Sequence, residues 1–372
     1  MTQNRGKRNG KIELYRFIFA IFVLFFHFEK YMMGEPPLKN GFHLALCPHG
    51  SIGVEFFFLL SGFFMAKSIS KKRNAAISFG GEITFGSSDW RRFIVSKYCS
   101  IFPYHMIAFV FSFATFVIFK EFDWKHIVLS FIDSIPNLVL VQMSGISITN
   151  PNHVEWYISC MLLAMCIIYP FALRFYDTMY TYVAPVFAIF AIGYLMYTTH
   201  ALTGVQVWMG FYFKSTLRAI IELLLGGTAY ELSKKLQQLD LSKWIRKLVP
   251  AVELMSFLLV VVFIVVTVPS QYEIYALALL FVLVTTANMG GDKTKIFNNK
   301  ICFFLGRLSL PVYLSQVAVI WIGQKYGWEG ITCLPLFLLF VFILSVVVLT
   351  GGDLLKSMSA YIHMISSGCG KR

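Results

Sequence analysis

The first apolar run of the chain, 14–33, contains ionisable residues, which are costly in a membrane, and two of them are candidates for chemistry. Arg16 is near its start, and His27 follows eleven residues later. In a helix that spacing makes about three turns and about 16 Å of rise, so both side chains face nearly the same side. Imidazole has the unperturbed pKa nearest neutrality, which suits it to taking a proton from a hydroxyl. His27 is therefore a candidate general base.

The next apolar run, 51–67, carries a carboxylate, Glu55. If the two runs are consecutive spans joined outside, Glu55 and His27 lie at similar depth, about one turn below the outer surface. A carboxylate beside an imidazole fixes its tautomer and stabilises its protonated form. We therefore predict His27 and Glu55 as catalytic residues, a base and its orienter. The alternatives to a catalytic pair are a structural hydrogen bond between the two spans and a histidine that is only packed in the core. If His27 is structural, the remaining candidates for the base are Glu55, Glu155 and His153.

A basic cluster precedes the third apolar run, 98–119. It consists of Arg91, Arg92 and Lys97, whose side chains suit a phosphorylated ligand. Membrane orientation and contact with lipid headgroups explain the same charges, and this simpler reading is favoured on position alone.

Other polar residues near the membrane surfaces carry weaker signals. Trp156 and Tyr157 are typical of an aromatic belt, although the adjacent Glu155 makes all three candidates for the acceptor side of a site. Glu222 stands four residues after Arg218 and is expected to pair with it. The eight histidines and seven cysteines show neither metal-ligand spacing nor a C-x-x-C pair, so no metal site and no disulfide framework is predicted.

These residues belong to a chain with the composition of an integral membrane protein. Of its 372 residues 57% are hydrophobic and 14% charged, against about 25% charged in soluble domains. Ten runs are long enough to cross a bilayer as helices: 14–33, 51–67, 98–119, 154–173, 180–199, 214–233, 248–268, 271–289, 301–323 and 333–353. We predict an all-α, polytopic transmembrane helix bundle that forms one membrane-embedded domain, 1–372, without a separate soluble domain.

Charge sets the predicted topology. A further run, 127–143, is weaker because it contains Asp133 and Pro136. With ten spans, alternation puts 25 of the 32 basic residues on one side, which the positive-inside rule makes cytoplasmic. Both termini are then cytoplasmic, and 127–143 is re-entrant or interfacial on the outer side. We expect the membrane to be the plasma membrane. The net charge of +13 reports this orientation rather than a nucleic-acid partner.

Several stretches, taken in order, resemble the acyltransferase-3 family of integral membrane O-acyltransferases. They match its L-D-x-L-R-G start with the membrane histidine, its G-V-D-x-F-F-x-x-S-G-F motif, its basic segment closing in R-I-x-P, its W-Y-L-S, and its late L-G-x-x-S-x-x-x-Y-L. In this chain these are Ile12–Phe17 with His27, Gly53–Phe63, Arg91–Tyr104, Trp156–Ser159 and Leu305–Leu314. Glu13 and Ser61 are structural members of the first two motifs.

Three departures from the family pattern stand out. Glu13 and Glu55 replace the usual Asp and keep its charge. Ser100 stands where the family often has Arg, so the donor site is expected to depend on Lys97. Gln316 stands where the family often has His after Tyr-Leu, so either that His is not required for chemistry or this protein is altered there.

The resemblance implies transfer of an acyl group, often acetyl, from cytoplasmic acyl-CoA to a hydroxyl of an extracytoplasmic or lipid-linked glycan, such as a cell-envelope polysaccharide. Acyl-CoA is then a substrate, membrane lipid is the surroundings, and no permanently bound cofactor is expected. The donor would meet Arg16, Arg91, Arg92 and Lys97, and the acceptor would meet Glu155, Trp156, Tyr157 and Tyr313. The alternatives are a longer acyl chain, a small sugar or lipid as acceptor, and, in a different class, a transporter or flippase.

Overall fold

A computed structural model describes residues 9–33, 46–78, 87–146, 149–239, 243–289 and 296–368. These residues are mostly helical, and the described part contains no strand beyond an isolated bridge between Trp208 and Phe213. The predicted all-α class is confirmed.

The helices follow the apolar runs of the sequence. In the described residues they are α1 Gly10–Met32, α2 Ile52–Ser78, α3 Ser87–Lys120, α4 Trp124–Asp133, α5 Ile135–Leu138, α6 Trp156–Arg174, α7 Tyr176–Thr178, α8 Ala184–Thr199, α9 Lys214–Gln238, α10 Lys243–Val265, α11 Glu273–Ala287, α12 Lys300–Lys325 and α13 Leu334–Gly368. A π-helical turn, Met179–Val183, joins α7 to α8.

Eight helices of the described chain are long and apolar enough to cross a membrane, with α7 and α8 counted as one. Two further helices, α1 and α9, coincide with predicted spans but contain more charged residues. The chain is therefore a multi-pass membrane protein, and the count of ten spans stays a prediction.

The weak run 127–143 does not form a spanning helix. Its main helix, α4, has 10 residues and none of them is buried. Ten residues rise about 15 Å, half the thickness of a bilayer core. That part of the prediction is confirmed, whereas an interfacial or re-entrant position on the outer side stays a prediction.

Helices α2 and α3 extend well past their apolar runs at the end of the bundle where α1 begins, which we call the inner end. The 34 residues of α3 rise about 51 Å, more than a bilayer core requires. Two ion pairs hold these extensions: Lys72 with Asp89, and Arg73 with Asp177 at 3.0 Å. The basic residues after 67 and before 97 lie mostly on these extensions.

Helix α1 packs against α12 and α2. Gly306 permits the close approach of α12 to α1, because a Cβ at this position would overlap Glu13. At its inner end α1 is held by Glu253 of α10, which accepts hydrogen bonds from Lys11 (2.6 Å) and Tyr15 (2.9 Å). The helix that carries Arg16 and His27 is thus held against α2, α10 and α12.

Candidate active site

A cavity of about 260 Å³ lies between α1, α2, α3, α6 and α12. Its wall is mainly apolar, with side chains such as Phe57, Leu60, Ile101 and Met161. A few polar groups interrupt this wall, and they are residues from motifs that are far apart in the sequence. The cavity therefore brings together side chains that the sequence analysis assigned to different roles.

Two cations line the cavity. Arg16 is half-buried and donates to Glu13 (2.9 Å). Lys97 projects from α3, with its Nζ 5.6 Å from the centre of the Phe93 ring. Ser100, which stands where the family often has Arg, also lines the cavity. The predicted donor residues Arg16 and Lys97 are therefore brought together.

The other two predicted donor residues lie elsewhere. Arg91 and Arg92 are exposed on the inner extension of α3 and do not line the cavity. Their side chains face the surroundings of the bundle, which is where charges that set orientation or contact lipid headgroups belong.

Two tyrosines and a serine line the cavity toward its outer end. The hydroxyl of Tyr157 lies 3.3 Å from Ser61 Oγ, and the Tyr157 and Tyr313 ring centres are 5.8 Å apart. Tyr313 donates its hydroxyl to the Val154 carbonyl at 2.6 Å. Tyr157 and Tyr313, predicted on the acceptor side, and the motif residue Ser61 thus share one wall.

The partner of His27 is a glutamine. His27 Nδ1 lies 3.1 Å from Gln316 Oε1, and Gln316 Nε2 donates to the Tyr313 carbonyl at 2.9 Å. Since the amide nitrogen is used on Tyr313, the oxygen faces His27, and an amide oxygen only accepts. The hydrogen therefore lies on Nδ1, and Nε2 of the neutral ring carries the lone pair that can take a proton.

The predicted contact between His27 and Glu55 is wrong. Glu55 is fully buried and accepts from Arg218 at 2.9 Å, and Arg218 also donates to Glu222 at 2.7 Å. The predicted contact with His27 rested only on the similar depth of the two residues in the membrane. Helix α2 presents Glu55 toward α9 rather than toward His27. The side chain that hydrogen-bonds to His27 is Gln316 instead. The predicted pair of Arg218 and Glu222 is confirmed.

Two of the remaining acceptor-side residues are packed in the core. Trp156 is buried, and the Arg218 guanidinium lies 6.0 Å from its ring centre. Glu155 is fully buried and bonds to His105 Nδ1 and to Asn152, both at 2.9 Å. Neither residue lines the cavity. Their contacts join the beginning of α6 to α9 and α3, and their predicted place on the acceptor side stays a prediction.

Several of these partners had no local signal in the sequence. His105 is 50 residues from Glu155, and Arg218 is 163 residues from Glu55. Gln316 was noticeable only as a departure from the family pattern. His153, a residual candidate for the base, lies with its ring centre 5.9 Å from that of His27.

A family model described as an acyltransferase domain, Acyl_transf_3, matches residues 9–352, nearly the whole chain. The chain belongs to the acyltransferase-3 family. Searches of curated proteins and of solved structures gave no match. As a member of the acyltransferase-3 family with several membrane-crossing helices, the protein is a membrane acyltransferase, and an acyl donor and an acceptor are its substrates. The cavity and the His27–Gln316 pair both lie within the matched residues.

Proposed function

We propose that the protein transfers an acyl group, acetyl above all, from cytoplasmic acyl-CoA to a hydroxyl of an extracytoplasmic or lipid-linked glycan in the plasma membrane. One observation carries the proposal. A single cavity joins the cations Arg16 and Lys97 to Tyr157 and Tyr313. Gln316 connects the main-chain carbonyl of Tyr313 to His27, and His27 itself does not line the cavity.

The size of the cavity favours a slender donor group. Sites for drug-sized ligands enclose about 300–1,000 Å³, and this cavity encloses about 260 Å³. A whole nucleotide thioester is too large for it, whereas a narrow arm with a short acyl group suits its apolar wall. The nucleotide then stays at the inner mouth, and Arg16 and Lys97 are the cations nearest to its phosphates.

The tautomer of His27 supports a general-base step. Nε2 takes the proton of the acceptor hydroxyl while the hydroxyl oxygen bonds to the thioester carbonyl carbon. The carbon–sulfur bond breaks as the tetrahedral intermediate collapses. CoA leaves as its thiolate and receives the proton that His27 took from the hydroxyl, so His27 returns to its neutral form. If the acyl group instead passes through His27, the same Nε2 is the nucleophile and the acceptor attacks in a second step.

Radiolabelled acetyl-CoA and envelope glycan, incubated with purified protein, test the proposal. We expect label in the glycan, and we expect His27→Ala to lower turnover by about 10²–10⁴-fold. His126→Gln is the matched control, because His126 is an exposed histidine on α4 that does not line the cavity.

Two results would contradict the proposal. One is near-normal transfer by His27→Ala in protein that elutes as a single species. The other is movement of a sugar or lipid across proteoliposomes without acyl-CoA, together with no labelled product, which would favour a transporter or flippase. Mass spectrometry of the product gives the acyl chain and the acylated hydroxyl.

A further inference from the structure

Residues 151–154, which lead into α6, are hydrogen-bonded to α12 on both sides of His153. Trp321 Nε1 donates to the Pro151 carbonyl at 2.9 Å, and the Asn152 side chain donates to the Leu314 carbonyl at 3.1 Å. On the other side, Tyr313 donates to the Val154 carbonyl at 2.6 Å. Three hydrogen bonds over four residues fix the backbone, so the position of the His153 ring is set by α12, the helix that also carries Gln316.

This backbone holds the His153 ring against His27. The ring centres are 5.9 Å apart and the planes meet at 74°. Tyr31 packs on both imidazoles, with its ring centre 5.2 Å from that of His153 and 6.1 Å from that of His27. Tyr31 lies one helical turn beyond His27 and is partly exposed, so it covers the two imidazoles from the outer side.

One ring nitrogen of His153, Nε2, is buried and has no hydrogen-bond partner among the described residues. Leaving such a group unpaired costs about 1–3 kcal/mol, and most buried polar atoms in folded proteins do have partners. Other buried polar atoms of the described residues also lack a partner, but this nitrogen belongs to a ring that packs on the candidate base, where an acceptor substrate would lie.

We propose that His153 Nε2 is the hydrogen-bond partner of the acceptor hydroxyl and holds that hydroxyl against His27. The inference rests on the proposed function and adds to it the residue that positions the acceptor. Nε2–H donates to the hydroxyl oxygen, which leaves the hydroxyl's own proton directed at Nε2 of His27. The acceptor reaches the two imidazoles from the outer side when the Tyr31 ring moves aside.

Two amide variants separate this function from simple packing. In His153→Gln the amide reaches about as far as Nε2, whereas in His153→Asn it ends near the position of Nδ1. We expect His153→Asn to lower kcat/KM for the acceptor by about 10- to 100-fold, and His153→Gln to stay within about fivefold of the wild type. The KM for acyl-CoA should change by less than about twofold in both, as in the control His126→Gln.

Three outcomes would overturn the inference. The first is equal activity of the two variants. The second is a rise in the KM for acyl-CoA as large as the loss of acceptor kcat/KM. The third is failure of both variants to elute as a single species in detergent, which would make His153 structural. If wild-type protein transfers acyl groups and His27→Ala does not, these outcomes refute only the His153 inference. If the wild type transfers none, the proposed function fails and this inference fails with it.

Discussion

At the scale of single residues, the decisive contact is that of Gln316 with His27. The amide accepts from Nδ1 and thereby leaves Nε2 as the basic nitrogen. In many enzymes a carboxylate performs this function and also stabilises the charged imidazolium. A neutral amide supplies orientation with less charge stabilisation, so the base strength of His27 depends on burial and on the neighbouring imidazole of His153.

Replacing the amide tests that dependence. Gln316→Leu removes the acceptor of the Nδ1 hydrogen and should lower kcat by about 10- to 100-fold with little change in the KM for acyl-CoA. Gln316→Glu retains an oxygen acceptor and should recover part of the loss. Steady-state kinetics on purified variants provides the measurement. Wild-type kcat in Gln316→Leu would mean that the tautomer of His27 is set by another group.

The two cations of the cavity should differ from the exposed arginines. Arg16→Gln and Lys97→Gln should each raise the KM for acyl-CoA by about 5- to 150-fold, the value of a lost charged hydrogen bond. Arg91→Gln and Arg92→Gln are matched controls and should change it by less than about twofold, because neither side chain lines the cavity. Equal effects from all four variants would place the donor phosphates outside the cavity.

At the scale of elements, α2 and α9 are joined by three buried charges. Arg218, Glu55 and Glu222 are at most 3% exposed. Close backbone packing accompanies them, since a Cβ at Gly62 would overlap the backbone of Leu223. The charges do not reach the cavity, so this group stabilises the helix pair that forms one side of the site.

Stability measurements on the charged group should show an asymmetry. Arg218→Met leaves two buried carboxylates without a cation, which costs about 3–5 kcal/mol. Glu55→Gln leaves Arg218 paired with Glu222 and should cost less. Thermal unfolding in detergent, followed by intrinsic fluorescence, compares the variants. The triple variant with Glu222→Gln added to these two should unfold at a higher temperature than Arg218→Met alone; a lower temperature would show that the group contributes more than charge pairing.

The sequence predicted the helices better than their contacts. Apolar runs locate the spans because a bilayer demands about 20 apolar residues, but they do not show that α2 and α3 continue as helices past the lipid. Residue type and depth pointed to Arg16, which lines the cavity, and to His27, whose role stays a prediction. The partner of Glu55 depends on the rotation of α2 about its axis and on a helix 163 residues away, and a single sequence contains neither quantity.

At the scale of the whole molecule, the bundle has two chemically different ends. The end at which α1 begins carries the basic extensions of α2 and α3, and the opposite end carries the two imidazoles and the short helix α4. If the basic end is cytoplasmic, as the positive-inside rule predicts, the donor and the acceptor approach from opposite sides of the membrane.

Cysteine labelling of intact cells tests this orientation. In a background without the native cysteines, Gln238→Cys at the end of α9 should react with a membrane-impermeant reagent only after permeabilisation. Lys125→Cys on α4 should react in intact cells, and both side chains are exposed. Labelling of Gln238→Cys in intact cells would reverse the assignment of that end and require a different number of spans.

Helix α1 has one further consequence. It contains no proline and, after its first residue, no glycine, so it resists bending between Arg16 and His27. The separation of about 16 Å is therefore a fixed length, and under the proposed function it sets the length that the donor must span. A thioester with a shorter arm cannot place its charged group at Arg16 and its acyl carbon at His27 simultaneously. Selection of the donor by length would then be a property of the backbone of one helix, independent of any pocket that recognises the acyl group.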